Sequence, residues 1–245
     1  MYKLCLLVPL IDLLPPQVAG DGPECIREFG IYDGPLPWCK LLLDSITIPH
    51  SRTYALVTSP AALYTLLKHL ILPSAILCST SDLAKDKYAD LRTALRVFAE
   101  KGGRLVLGGP IANHIPYGGI SEFLASFGVA WKTAGYHRTT HYLNPAHPLF
   151  AGLSGDWIAR AALPSSYSCK AVVLKGVPAS DMLFRSTDES GVESLSMALG
   201  GGQVDSDEVA VAAGKVGTGW VAWVGDVNQE QGSTQATLFL LGLKK

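Results

Sequence analysis

The chain has 245 residues, with 20 Lys and Arg against 21 Asp and Glu, a formal net charge of −1. That balance argues against a protein whose main task is neutralising nucleic-acid phosphates, so no nucleic-acid partner is expected. With 48% hydrophobic and 17% charged residues the chain can bury a large core and is not disordered, and its 25 glycines and 15 prolines follow no low-complexity period.

The apolar run at 4–14 follows Lys3, is interrupted by Pro9 and Asp12, and leads into Pro15-Pro16 rather than a small-residue cleavage site. It therefore reads as a buried first strand, Lys3–Val8, not as a secretory signal. Cys39–Ile46 reads as a short helix, Tyr54–Thr58 as a strand and Ala61–Leu70 as a helix. Ser74–Ser79 is a short apolar run after Pro73, the signature of a buried strand. Asp82 is placed to cap the next helix, along which Tyr88, Leu91, Leu95, Phe98 and Ala99 recur at helical spacing. Lys101-Gly102-Gly103 ends it, with glycine supplying a left-handed cap. Arg104–Leu107 is a second buried strand, ending in Gly108-Gly109-Pro110. Strand, helix and strand within ~35 residues predict a right-handed crossover between two parallel strands.

Downstream, Gly119–Phe127 reads as a helix, and Ala130–Tyr136, Ala171–Leu174 and Met182–Arg185 read as strands. Gly200-Gly201-Gly202 reads as a flexible turn. Val209–Ala213 and Trp220–Val224 are strands joined by a hairpin at Gly214–Gly219, and Ser233–Leu243 is an apolar closing helix. No linker, composition break or repeat divides the chain, so 1–245 reads as one domain. No run of ~18 apolar residues is free of charge or proline, so no membrane partner is expected. The five cysteines, Cys5, Cys25, Cys39, Cys78 and Cys169, form no Cys-x-x-Cys pair. None of Asn113, Asn144 and Asn228 begins a glycosylation sequon, and together these features point to reduced thiols and a cytoplasmic protein. Trp131, Trp157, Trp220 and Trp223 lie on apolar segments and are assigned to the core.

Several segments carry a family resemblance: AILCSTSD at 75–82, FAEKGG at 98–103, RLVLGG at 104–109, NPAHPLFAGL at 144–153 and GTGWVAWVGDVN at 217–228. In order and spacing they resemble the class I glutamine amidotransferase-like superfamily, and within it the ThuA-like branch. The resemblance implies an α/β, three-layer flavodoxin-like sandwich. Its central sheet would be mostly parallel, with antiparallel additions from the C-terminal half and a ligand site at the C-terminal ends of the parallel strands. The amidotransferase Cys nucleophile would stand at Gly108-Gly109-Pro110, which has no thiol, and the triad His would stand near Gly225-Asp226-Val227. The ThuA-like branch tends to carry a His at the first of these places, and this chain does not. With nucleophile and base both absent, glutaminase chemistry is not expected.

His137, His141 and His147 have the spacing of a metzincin zinc motif, but Arg138 stands in place of its Glu. The Thr- and Tyr-rich segment around them reads as extended, which would set His137 and His141 ~13 Å apart, so no metal is expected. Arg138 has no acid near it in sequence and offers a planar donor fork, with His137 and Thr139 beside it. Gly108 and Gly109, followed by Asn113 and His114, could admit a ligand to the backbone. Asp226, Asn228 and Glu230 follow a buried strand; they are either acid–base groups or caps of the last helix. Cys78 could approach the same cleft but is more simply a core residue. The sequence reading is thus a small-molecule enzyme acting on a polar or sugar-like metabolite without a covalent Cys nucleophile. Its catalytic residues would be His137, Arg138 and Asp226, and its ligand contacts Gly108, Gly109, Asn113, His114 and Thr139. No metal or cofactor is assigned, the partner is a small polar or anionic metabolite, and a homo-oligomer is left open. The alternative is a non-catalytic ligand-binding or interaction domain on the same fold.

Overall fold

The computed structural model describes residues 6–10, 53–56, 60–68, 73–151, 163–193 and 204–242. The readings at Cys39–Ile46, Trp157 and Gly200–Gly202 lie outside these residues, as does the start of Lys3–Val8. In chain order the strands and α-helices are β1 (Leu6–Leu10), β2 (Thr53–Leu56), α1 (Pro60–Lys68), β3 (Ala75–Cys78), α2 (Ala89–Glu100) and β4 (Arg104–Leu107). Then follow α3 (Ile111–His114), α4 (Ile120–Ala125), β5 (Lys132–Leu143), β6 (Ser166–Lys175), β7 (Met182–Arg185), β8 (Val209–Val216), β9 (Gly219–Val224) and α5 (Gln231–Leu240).

All four residues of β3 are buried, as its unbroken apolar run requires of a strand covered on both faces. Alternate side chains go to opposite cores. Ile76, Cys78, Leu105, Leu107, Val221 and Trp223 pack with Leu91, Leu95 and Phe98 of α2. Ala75, Leu77, Val106, Ala222 and Val224 pack with Ala236, Leu238 and Phe239 of α5. Strand β3 runs parallel to β4, as the crossover pattern predicts, and β4 runs parallel to β9. Asp82 is not the cap: Thr80 Oγ1 accepts from the Asp82 N–H at 3.2 Å, and the Asp82 carboxylate accepts from Lys85 Nζ at 2.6 Å.

The sheet as a whole corrects the flavodoxin-like expectation. Among the described residues nine strands run β2-β1-β3-β4-β9-β8-β6-β5-β7, and every pairing except β3–β4 and β4–β9 is antiparallel. Strand β8 also pairs with β7, so β8, β6, β5 and β7 close into a four-stranded ring. The chain is therefore not a three-layer sandwich around a mostly parallel sheet. The physical reason lies in the connections, because a parallel neighbour needs a crossover of about a dozen residues or more. The link from β8 to β9 is only Gly217-Thr218. Gly217 takes φ 60° there, the left-handed conformation that a two-residue hairpin asks of glycine. Strand β5, at 12 residues, is also longer than the Ala130–Tyr136 reading, and its partner β6 has 10. Among the described residues no helix is long and apolar enough to cross a membrane.

Candidate functional site

Because β4 and β9 are parallel neighbours, the loops after both open at one end of the sheet. Gly225 passes the chain from β8 to β6: its N–H donates to Ala210 O while its carbonyl accepts from the Val172 N–H, and beyond it Val227 N–H donates to Lys170 O, with Ala171 bridging Asp226. Asn113 of α3 joins this seam by donating from Nδ2 to Val227 O at 2.8 Å. Between α3, α4 and the β5–β6 face lies a groove of about 540 Å³, lined by Ala112, Asn113, Ile115, Tyr117, Ile120, Tyr136 and Val172. Tyr117 and Tyr136, both lining this groove, are 46% and 51% exposed.

The register of β5 on β6 sets what lies next to the groove. Tyr136 faces Val172, Arg138 faces Lys170 and Thr140 faces Ser168, three successive pairs on one face. Lys170 Nζ sits 4.7 Å from the centre of the Tyr136 ring. Arg138 donates through Nη2 to Glu230 Oε1 and through Nη1 to Ser168 Oγ at 3.3 Å. Glu193 closes the far end, accepting from Thr140 Oγ1 at 2.7 Å and from Ser168 Oγ at 2.6 Å. Arg138 is thus not the unpaired guanidinium that its sequence neighbourhood suggests; its acid comes from 92 residues downstream.

Asp226 and Glu230 act as a pair. Asp226 is 2% exposed and organises the turn into α5, accepting from the Asn228 N–H at 2.8 Å and the Glu230 N–H at 2.7 Å. Burial, then the hydrogen bond shared with Glu230, pushes its carboxyl up to about 6. Burial also pushes Glu230 up, but the hydrogen bonds from Asp226 and Arg138 outweigh it and hold Glu230 below the usual range. The cavity beside Asp226, lined also by Gly109, Gln229, Ser233, Thr234 and Thr237, measures about 10 Å³, room for one water. Gly109 lines it at φ 65°, a conformation other side chains resist.

The remaining expected site residues lie elsewhere. Adjacent strand residues point to opposite faces, so His137, Thr139 and His141 lie on the far side of β5 from Arg138. His137 Nε2 is 3.1 Å from Glu208 Oε2. Thr139 is fully buried and donates to Gly191 O at 2.7 Å, so it cannot serve as a ligand contact. His141 is fully buried, and burial, with His137 nearby, pushes it down to about 3. His147 Nε2 meets Ala213 O at 3.0 Å, and its Nδ1 accepts from the Leu149 N–H at 3.1 Å. Among the described residues no three His, Cys, Asp or Glu side chains are grouped to hold a metal ion. Cys78 is a core residue whose thiol burial pushes up, Gly108 is buried, and His114 is exposed outside the groove lining. Of the eight expected residues, then, Asn113 lines the groove, Gly109 and Asp226 line the small cavity, and Arg138 reaches Asp226 through Glu230. Tyr117, Tyr136 and Lys170 were missed. The signal for one of them, Tyr136, was the alternation Tyr136-x-Arg138-x-Thr140 along one strand face.

No protein-family model matches the chain, and no curated protein matches it.

Proposed function

We propose that the chain is a binding domain for a small polar metabolite, held in the groove between α3, α4 and the β5–β6 face. The observation that carries this is the pair of exposed tyrosines, Tyr117 and Tyr136, over a floor of Ile115, Ile120 and Val172. A volume of about 540 Å³ falls within the range of small-molecule sites, and an apolar lining with a few polar groups is their usual chemistry. Binding is favoured over acid–base catalysis because the candidate catalytic groups do not converge. His137 pairs with Glu208 on the opposite face, and Asp226 opens only onto a water-sized cavity. The free, buried Cys78 and Cys169 suit a reducing compartment such as the cytoplasm. Resemblance to the ThuA-like branch carries no part of this reading.

The test is a thermal-shift screen of a metabolite library, followed by titration of any hit against Tyr117→Ala and Tyr136→Ala. Each variant is expected to keep its melting temperature and lose affinity several-fold, the worth of one ring contact. A hit bound equally well by both variants would place the site elsewhere.

A further inference from the structure

Arg138, His137 and Lys170 each put a cationic or titratable group near the groove, and they differ in how they are partnered among the described residues. Arg138 has its two terminal nitrogens on Glu230 and Ser168, and Glu230 is held ionised, so this guanidinium is already neutralised. His137 faces Glu208 on the other side of β5. Lys170 differs: among the described residues its ammonium pairs with no carboxylate, and its nearest partner is the Tyr136 ring at 4.7 Å. The backbone fixes this position, since Lys170 faces Arg138 across the ladder and its carbonyl accepts the Val227 N–H at 2.9 Å. A cation lying over an aromatic face at an exposed site is held there only weakly. It is free to turn toward a stronger, anionic partner without leaving the rim.

We infer that the ligand of the groove is a planar organic anion. Its ring lies against Tyr136 and Tyr117 over Ile115, Ile120 and Val172, and its acid group is taken by Lys170, not by Arg138. The inference rests on the groove reading above and adds the charge and shape of the occupant. A flat apolar body matches the two rings and the aliphatic floor. A single negative charge matches Lys170, which among the described residues pairs with no carboxylate.

A matched pair of probes tests it: 2-naphthoate and its neutral analogue 2-naphthamide, titrated calorimetrically at low salt into the whole protein. Naphthoate is expected to bind at least about ten-fold more tightly, the effect of one charge-assisted hydrogen bond. Lys170→Gln should remove that preference, while Arg138→Met should leave it intact. About 0.5 M sodium chloride should erode the naphthoate advantage in the unmodified protein, and this arm needs no variant to fold. Equal affinities for the two probes, or a preference that survives Lys170→Gln, overturn the anion assignment and leave the groove standing. Binding of neither probe, or binding indifferent to Tyr136→Ala, removes the groove reading and the inference with it.

Discussion

Replacing His141 with leucine should make the protein markedly more resistant to acid while leaving its stability near neutral pH almost unchanged. The His141 ring is fully buried, with Nδ1 3.4 Å from Ser186 Oγ and Nε2 without a partner. Burial, and secondarily His137, lower its pKa from the ordinary 6.5 to about 3. Above 6.5 the imidazole is neutral in both folded and unfolded chains. Between 6.5 and about 3 only the unfolded chain takes up the proton, so stability falls as pH falls through that window. At about 1.4 kcal/mol per pH unit, the loss between pH 6.5 and 4.5 comes to roughly 3 kcal/mol. Asp226 works in the opposite sense: its folded pKa of about 6 lies above the ordinary 3.8, so the folded state binds the extra proton and gains stability as pH falls between them. The two slopes partly cancel in the native chain, which is why the variant must be compared with its parent at each pH. At pH 7.5 the His141→Leu substitution forfeits a long hydrogen bond and removes an orphaned ring nitrogen, changes of opposite sign and about 1 kcal/mol each. Urea unfolding followed by the fluorescence of the buried Trp131 and Trp223 gives the two curves. The variant should gain roughly 3 kcal/mol relative to its parent between pH 7.5 and 4.5. Parallel curves would show that His141 is protonated in the folded protein and that its burial has been misjudged.

Gly219→Ala should cost upward of about 3 kcal/mol or prevent folding, because the new methyl would meet backbone rather than a yielding side chain. Its Cβ would stand 2.2 Å from Gly103 O and 2.3 Å from Ala99 O, and normal urea stability for this variant would refute the close packing of β9 against the end of α2. Arg138→Met should cost about 1 kcal/mol, since the pair with Glu230 is partly exposed and solvent screens it. Adding Glu230→Gln to Arg138→Met should recover much of that loss, and strictly additive effects in the four-protein cycle would mean that the two side chains do not interact.

The unit from β3 to β4 could be read from residues close together in the chain. The unbroken apolar runs of β3 and β4 and the spacing of Leu91, Leu95 and Phe98 in α2 are local patterns, and each selects its own burial. The parallel pairing of β3 with β4 follows from the length of the helix between them. The two-residue link at Gly217-Thr218 likewise announces an antiparallel hairpin. Ring closure could not be read in this way, because β8 pairs with β6 and β9 and also with β7, and apolar alternation says which face of a strand is buried but not which strand lies beside it. The site shows the same division. Arg138 has no acid within reach along the chain, and only the passage of 225–230 across β6 brings Glu230 onto it. Lys170 and Tyr136 belong to different strands, 34 positions apart in number, and become neighbours through the diagonal of an antiparallel register. The sequence alone determined the burial of the apolar runs in β3, β4 and α2 and where most strands would lie, though not how far β5 and β6 extend. Which charges would be neutralised, and which one left over at the rim of a groove, was decided by the tertiary structure, because ion pairing depends on distances that chain folding sets between residues remote in sequence.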